Sequence, residues 1–249
     1  MLTLQHSSGA STYNFYYQHH MATRLPPWAW AVAWILACAA GIINVVGVLS
    51  FQHQAFTHLT GTTSLLAAAI TDAQWPSVWH LLAVIGSFVG GAAISGAIIK
   101  DDPLTLRRRY SVALVIESLV LLGAVPLLNH HLVLGMYLAC AASGLQNAMV
   151  STYSGSVLRT SHLTGMFTDL GIFVGQLFTG AQVERRRLQV SFVIISAFLS
   201  GGIGGSFLFH TLGYATLYIA AGITGSMALL YALYRGLSNS KLRQLDNRS

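Results

Sequence analysis

The sequence predicts an all-α integral membrane protein with about six transmembrane helices, two short half helices and two repeats of inverted topology. Its composition, its apolar runs and an internal repeat all point to this fold class. Of 249 residues, 54% are hydrophobic and only 8% are charged, whereas about 25% of an ordinary soluble domain is charged. Such a composition cannot cover a water-soluble surface, so a soluble enzyme is excluded.

Six apolar runs are each close to the ~20 residues that cross a bilayer as a helix. They are separated by short polar segments in which the basic residues cluster. Membrane topology explains the net charge of +6 better than nucleic-acid binding does. The six runs are Trp28–Leu49, Val78–Ile99, Ser111–Leu128, Leu132–Val150, Leu188–Phe209 and Tyr214–Tyr234.

An internal repeat appears at a separation of about a hundred residues. The motif GIIN, which begins at Gly41, recurs as GLQN from Gly144. The tetrapeptide HLTG then occurs identically at His58–Gly61 and at His162–Gly165, and GSFVGG in the second run is echoed by SGGIGG in the fifth. Each half therefore contains a span, an HLTG segment, a glycine-rich span and a further span.

The apolar stretch after each HLTG is short, covering Thr62–Ile70 in the first half and Met166–Phe178 in the second. Each stretch either crosses the membrane or re-enters it. If both re-enter, all 13 basic residues lie on one side; if both cross, the five at Lys100, Arg107–Arg109 and Arg159 lie opposite the other eight. Cytoplasmic loops are enriched in Lys and Arg, so re-entry is predicted, with both termini in the cytoplasm.

Three crossings per half place the second repeat in the membrane upside down relative to the first. We expect a polar tail at residues 1–27, with Met21 as a candidate native start, because MATRLPPW leads directly into the first span. The membrane domain covers residues 28–236, with repeat one at 28–129 and repeat two at 130–236. A cytoplasmic tail follows at 237–249. Inverted repeats with broken helices are typical of secondary transporters.

At GIIN with HLTG, and at GLQNAMV with HLTGMFTDL, the chain resembles the YoaK family of bacterial membrane proteins, a domain of unknown function. The resemblance extends from about Trp28 to Tyr234. It implies an integral inner-membrane protein and supplies no substrate. The family pattern has an acidic residue near Asn44 and an Asn at Thr62, and these two departures weaken any transfer of a role to either residue.

The HLTG segments are the predicted binding site. Thr60, Gly61, Thr62, Thr164 and Gly165 would lie just before helices that start within the membrane, where Thr can cap and Gly admits a ligand. Such a helix start carries free N–H groups and a partial positive charge, so an anion or polar solute is expected there. The alternative is that HLTG only caps the helix and satisfies backbone groups at membrane depth.

Two carboxylates and two amides complete the predicted site. Glu117 and Asp169 lie inside apolar helices, where carboxylates normally face a cavity or a partner. They are candidate coupling carboxylates, and a structural hydrogen bond is the alternative for each. Asn44 and Asn147 occupy matching places before the two HLTG segments, as solute ligands or as hydrogen-bonding groups between helices.

The remaining reactive residues predict no chemistry. Cys38 and Cys140 lie inside apolar runs as packing residues. The adjacent pairs His19–His20 and His130–His131 lack the spacing of a helical zinc site, and His58 and His162 could sense pH or only line a loop. No hydrolase, redox or phosphate-binding motif occurs, so we expect no enzyme activity, cofactor or metal.

The sequence thus predicts a small secondary transporter or channel-like permease in the bacterial inner membrane. Its substrate is expected to be a small polar or anionic solute and its surroundings the lipid bilayer, and the sequence leaves open whether it is a monomer or a homo-oligomer. No nucleic-acid partner is expected. The alternative is a multi-pass protein without transport activity that serves as a partner or assembly factor, and an intramembrane enzyme comes third.

Overall fold

A computed structural model describes residues 27–99, 106–153, 159–180 and 185–246. Within these ranges the chain forms eight α-helices, and a 3-10 turn at Gly213–Thr216 joins the last two. The predicted tail at residues 1–27 lies almost entirely outside the described residues, and so do Lys100 and residues 247–249 of the C-terminal tail. The helices are α1 Pro27–Leu49, α2 Leu59–Thr71, α3 Trp75–Ile98, α4 Leu106–Asn129, α5 Val133–Tyr153, α6 Leu163–Thr179, α7 Arg185–Leu212 and α8 Leu217–Asp246.

Local residue chemistry explains where several helices begin and end. Pro76 stands in the first turn of α3, where a proline has no hydrogen bond to lose. Helix α6 ends at Gly180, whose φ of 65° is left-handed and suits glycine at a helix C-terminus. Gly213, with φ of 57°, turns the chain between α7 and α8.

Five apolar helical stretches are long and apolar enough to cross a membrane. The last of them, Arg185–Leu233, has 49 residues and contains both α7 and most of α8. The all-helical membrane class predicted from the sequence is therefore confirmed. The five stretches are Trp28–Leu49, Trp75–Ile98, Arg109–Asn129, Val133–Thr152 and Arg185–Leu233.

Two apolar clusters mark the two ends of the helix bundle. One joins the start of α1, through Ala33, to the end of α5, through Val150. The other joins the end of α1, through Val46, to the start of α5, through Met136. Helices α1 and α5 are therefore antiparallel. We call the first end the basic end, because α4 and α7 begin there with arginines, and the second the opposite end.

Helices α4 and α8 are also antiparallel. Leu114 near the start of α4 shares the basic-end cluster with Ala228 of α8, while Leu128 near the end of α4 shares the opposite-end cluster with Leu217. If α2 and α6 both crossed the membrane fully, α4 and α8 would have to run in the same direction. The observed arrangement is the one that two non-crossing short helices produce.

The two short helices lie beside the bundle. Helix α2 packs against α3, and α6 packs against α7, with no other helix of the described ranges touching either. Both are slightly longer than the sequence predicted, because each begins at the leucine of HLTG. They have 13 and 17 residues, fewer than the ~20 that a perpendicular crossing needs.

Helix α1 packs most extensively against α7, and glycines make this contact close. A side chain at Gly41 would overlap the carbonyl oxygen of Phe198, and one at Gly201 would overlap the carbonyl oxygen of Cys38. The two helices therefore touch backbone to backbone. Small residues at such crossings are typical of helix packing in membranes.

The same contact recurs between α3 and α5. A side chain at Gly144 would overlap the carbonyl oxygen of Phe88, and one at Gly91 would overlap that of Ala141. Gly144 corresponds to Gly41 in the repeated GIIN and GLQN motifs. By these contacts Gly91 corresponds to Gly201. The alignment of GSFVGG with SGGIGG had instead paired Gly91 with Gly205, so that alignment was wrong by four residues.

These crossings predict a stability difference between two classes of glycine. We expect Gly201→Ala to lower the free energy of unfolding by about 1–3 kcal/mol, because overpacking costs that much in a filled interface. Gly96→Ala is the matched control, since a Cβ there meets open space and alanine has the higher helix propensity. Thermal unfolding of the purified variants measures both. Equal stability of the two variants would contradict the close crossing.

Candidate functional site

The first HLTG turn (His58–Gly61) is tied to the end of α1 by Asn44. The Asn44 Oδ1 accepts hydrogen bonds from the Thr57 hydroxyl at 2.8 Å and from the Thr57 N–H at 3.2 Å. The Thr57 hydroxyl also lies 2.9 Å from Nδ1 of His58. Asn44 therefore acts within its own half, where it holds the chain that leads into α2.

A chain of polar side chains continues from this turn to the opposite end of the bundle. Gln54 Nε2 donates to the Thr62 hydroxyl at 3.2 Å, and Gln54 Oε1 lies 3.2 Å from Nε2 of His80 on α3. The other nitrogen of His80 is 3.0 Å from the Tyr137 hydroxyl on α5. Thr62 and Gln54 are buried, so this chain connects α2, α3 and α5 inside the protein.

The second HLTG turn (His162–Gly165) repeats the amide contact but not the polar chain. The Ser161 hydroxyl donates to Asn147 Oδ1 at 3.3 Å, which matches the contact of Thr57 with Asn44. At the position of Thr62 stands Met166, whose sulfur accepts a 3.5 Å hydrogen bond from Ser191. Thr160 is fully buried, and its hydroxyl has no partner among the described residues.

The threonines of the two turns do not cap their helices as predicted. The residues before the first helical positions are His58 and His162, and neither makes a side-chain capping bond. Thr60 and Thr164 lie one position inside the helix and are exposed. The hydroxyl of Thr62 also does not cap the helix. It accepts a hydrogen bond from the side chain of Gln54.

The two glycines of the turns have different surroundings. A Cβ at Gly61 would meet open space, whereas one at Gly165 would contact the ring of His162. The first turn is thus open beside its glycine, and the second is covered by its own histidine. Only at the second turn does a neighbouring side chain leave no space for a Cβ. At Gly61 there is space for the close approach of a ligand that the sequence predicted.

Helices α2 and α6, which begin at the two turns, do not touch within the described ranges. The ring of His58 packs edge-to-face on Phe198 of α7, with ring centroids 5.6 Å apart. Burial lowers the pKa of His58, and the nearby His162 lowers this pKa further.

Glu117 is fully buried near the middle of α4. Neither of its carboxylate oxygens has a hydrogen-bond partner among the described residues. Its helix packs mainly against α5 and α8, without touching α2 or α6 in the described ranges. The structure thus places Glu117 away from both HLTG turns and without the structural hydrogen bond considered as its alternative.

Asp169 has a charged partner that the sequence did not predict. One of its carboxylate oxygens lies 2.6 Å from the guanidinium of Arg187, and the two side chains are 15% and 60% exposed. This ion pair joins α6 to the first turn of α7. Asp169 is accordingly a linking residue of this hairpin, rather than an isolated carboxylate in an apolar helix.

Sequence reasoning missed Gln54, His80 and Tyr137. The histidine could have been found, because it stands within the apolar run Val78–Ile99, where a polar residue normally has a partner. Its partners could not, since they come from a loop and from the other half of the chain. Across the described ranges, no group of three or more His, Cys, Asp or Glu side chains could hold a metal ion.

Comparison with known proteins identifies the family. No curated protein and no solved structure matches the chain. A family model described as a protein of unknown function, DUF1275, matches residues 32–230, which contain both HLTG turns and every amide, carboxylate and glycine discussed above. This match agrees with the resemblance to YoaK-like proteins, and the chain belongs to the DUF1275 family.

Proposed function

We propose that the protein is a secondary transporter or channel-like permease for a small polar or anionic solute. The observation that carries this proposal is the pair of short helices that start beside the bundle at identical HLTG turns. Each turn is held by an asparagine of the preceding span, Asn44 in one half and Asn147 in the other. The alternative is that HLTG only satisfies backbone groups at the start of a helix. That role does not require the asparagine, the turn and the short helix to be repeated together.

The proposal includes inverted halves. Helix α1 crosses α7 as α5 crosses α3, through glycines at matching positions. Helices α4 and α8, the last of each half, pack antiparallel against one another. A rotation axis in the membrane plane, between α4 and α8, relates these contacts. Short helices paired in this way surround the substrate sites of many transporters.

An anionic or polar solute fits the chemistry of the turns. The starts of α2 and α6 carry free backbone N–H groups and the positive ends of helix dipoles. No acidic side chain lies in either HLTG turn or in the first turn of either helix. Thr60 and Thr164 are exposed residues, and we infer that both of their hydroxyls contact the solute.

Of the two carboxylates, Glu117 is the better candidate for proton coupling. A buried carboxylate without a hydrogen-bond donor is costly when ionised, and a proton relieves this cost. Asp169 is already neutralised by Arg187. The first repeat has Leu65 at the position of Asp169, and packing alone does not explain this difference. Both carboxylates are therefore tested by substitution.

We place the protein in the bacterial inner membrane with the basic end in the cytoplasm. Arg109 and Arg185–Arg187 lie at the same end as the start of α1 and the last turns of α8. Basic residues are retained on the cytoplasmic side during insertion. The proposal names lipid and solute as partners, and it assigns no surface to a second copy of the chain.

Uptake into proteoliposomes tests the HLTG site. The panel contains chloride, fluoride, phosphate, sulfate, formate and acetate. Thr60→Val and Thr164→Val each remove one hydroxyl, and each should reduce uptake of the transported anion by roughly fivefold if a solute hydrogen bond worth about 1 kcal/mol is lost. The double variant should lose less than the product of the two single effects, because both hydroxyls contact one solute.

Thr63→Val and Thr168→Val are the matched controls. Both hydroxyls are exposed and bond only to a carbonyl one turn earlier in their own helix, so uptake should be unchanged. If none of the six anions is taken up, or if all four valine variants transport alike, HLTG is a structural cap and the proposed site is wrong.

The coupling carboxylate is tested by the pH dependence of the same uptake. Glu117→Gln keeps the size of the side chain and removes its proton exchange, so uptake should lose its dependence on pH while expression stays normal. Asp169→Asn should instead weaken the α6–α7 hairpin, because it removes the ion pair with Arg187. Unchanged pH dependence in both carboxylate variants would make the two residues structural.

A further inference from the structure

Glu117 has no basic partner in the four helices that pack together around the centre of the bundle. Apart from this glutamate, the membrane spans of α1, α4, α5 and α8 contain no Asp, Glu, Lys, Arg or His. These spans are residues 28–49, 110–129, 133–153 and 217–234. Arg109 of α4 stands eight residues before Glu117, which is about 12 Å along the helix axis. An ion pair on the same helix is therefore out of reach.

Glu117, Gln146 and Thr224, which we call the polar layer, lie at one level of the bundle. Each is flanked along its helix by a residue of the basic-end cluster and by a residue of the opposite-end cluster. The flanking pairs are Leu114 and Leu121 on α4, Met149 and Ala142 on α5, and Ala228 and Ala221 on α8. All three side chains are buried, with at most 1% exposed surface. The polar layer therefore lies about midway through the bundle.

The contact between α4 and α5 places Gln146 opposite Glu117. A Cβ at Gly135 of α5 would touch the side chain of Leu128 on α4. Gln146 lies eleven residues beyond Gly135, and Glu117 lies eleven residues before Leu128. Eleven residues are about three helical turns, so each residue is on the same face as its starting point. Because the two helices are antiparallel, both steps lead to the same level.

The contact between α4 and α8 places Thr224 beside Glu117. Ser118 and Gly225 meet where these helices cross, since a Cβ at Gly225 would lie 3.0 Å from the Ser118 hydroxyl oxygen. Glu117 and Thr224 are the residues directly before this pair, and both are on the fully buried faces of their helices. The three members of the polar layer thus approach one another inside the bundle.

The neutral members of the polar layer present oxygen atoms as acceptors. Gln146 Nε2 donates to the carbonyl oxygen of Leu36 on α1 at 3.2 Å, which leaves Gln146 Oε1 as an acceptor. The Thr224 hydroxyl donates to the carbonyl oxygen of Ala221 at 3.2 Å, which leaves its lone pairs free to accept. Both carboxylate oxygens of Glu117 lack a hydrogen-bond partner among the described residues. Acceptor oxygens around one negative charge are the ligands that a hard metal cation prefers.

We propose that the polar layer binds a monovalent metal cation, Na⁺ or K⁺, with Glu117 as its charged ligand and Gln146 and Thr224 as neutral oxygen ligands. One positive charge neutralises one carboxylate, whereas a divalent ion would leave a net charge in the low-dielectric centre of the bundle. Cation binding does not depend on the permease proposal. If both proposals hold, the cation and the coupling proton compete for one carboxylate.

Binding of radiolabelled Na⁺ to the purified full chain in detergent tests the site. Binding should saturate, and unlabelled Na⁺ or K⁺ should displace the label while choline does not. The more potent of the two ions is the preferred one. Glu117→Gln should abolish saturable binding, because it removes the charge and keeps the size of the side chain. Replacement of choline by Na⁺ should raise the unfolding temperature of the unmodified chain and leave that of Glu117→Gln unchanged.

Threonine variants test the neutral ligands. Thr224→Val should weaken Na⁺ binding roughly fivefold, the effect of losing one polar contact. Thr216→Val is the matched control, because Thr216 is also a fully buried threonine but lies in the turn before α8, away from the polar layer. It should bind Na⁺ as the unmodified chain does. Gln146→Leu provides the same test as Thr224→Val if the latter variant does not fold.

Three results would overturn the proposal. Absence of saturable Na⁺ binding by the folded, unmodified chain would leave the proton as the ion at Glu117. Saturable binding retained in Glu117→Gln would place the cation elsewhere. Displacement of Na⁺ by Ca²⁺ at equal concentration would contradict the monovalent assignment. None of these measurements involves uptake, so a chain that binds Na⁺ but takes up no anion would contradict the permease proposal alone.

Discussion

The close backbone crossing between the halves is the constraint on which the rest of the structure depends. Lipid tails are as apolar as the helix surfaces, so helices in a membrane associate through packing rather than through exclusion of water. Gly41 and Gly201 supply this packing between α1 and α7. Because the first helix of each half rests on the third helix of the other, neither half has a complete core of its own.

This exchange of helices fixes the positions of the two HLTG turns. Asn44 is three residues beyond Gly41 on α1, and Asn147 is three residues beyond Gly144 on α5. The glycine sets the helix against its neighbour, and the asparagine then holds the chain that enters the short helix. A shift at the crossing would therefore move the turn, which couples packing between the halves to the candidate site.

The halves share a backbone plan but differ in the polar groups they bury. The first half contains the chain from Thr62 through Gln54 to His80, which ends at the Tyr137 hydroxyl. The second half has Met166 at the matching place. Such a difference gives the opposite end of the bundle a chain of polar side chains that the basic end does not repeat. Two unequal ends are expected of a protein whose two sides face different compartments.

The sequence was sufficient to predict the helical membrane class, because apolar runs of about 20 residues are the length that a membrane-spanning helix needs. The repeat and the two short helices were also readable, since HLTG recurs without change. Partners between distant helices were not, because periodicity identifies the face of a helix and not what covers it. The ion pair of Asp169 with Arg187 and the register of Gly91 with Gly201 are of this kind. Both short helices begin earlier in the chain than predicted. The residue before each of them is a histidine, which is less common at that position than Ser or Asp.

The opposite orientation of the two halves is the central claim, and cysteine accessibility tests it most directly. Asp72→Cys at the end of α2 and Arg185→Cys at the start of α7 are made in a chain in which Cys38 and Cys140 are replaced by alanine. Both positions are exposed. In intact cells an impermeant maleimide should label Asp72→Cys at once and Arg185→Cys only after the membrane is permeabilised. Labelling of both positions from the same side would mean that α2 or α6 crosses the membrane, and it would contradict the proposed inversion of the halves.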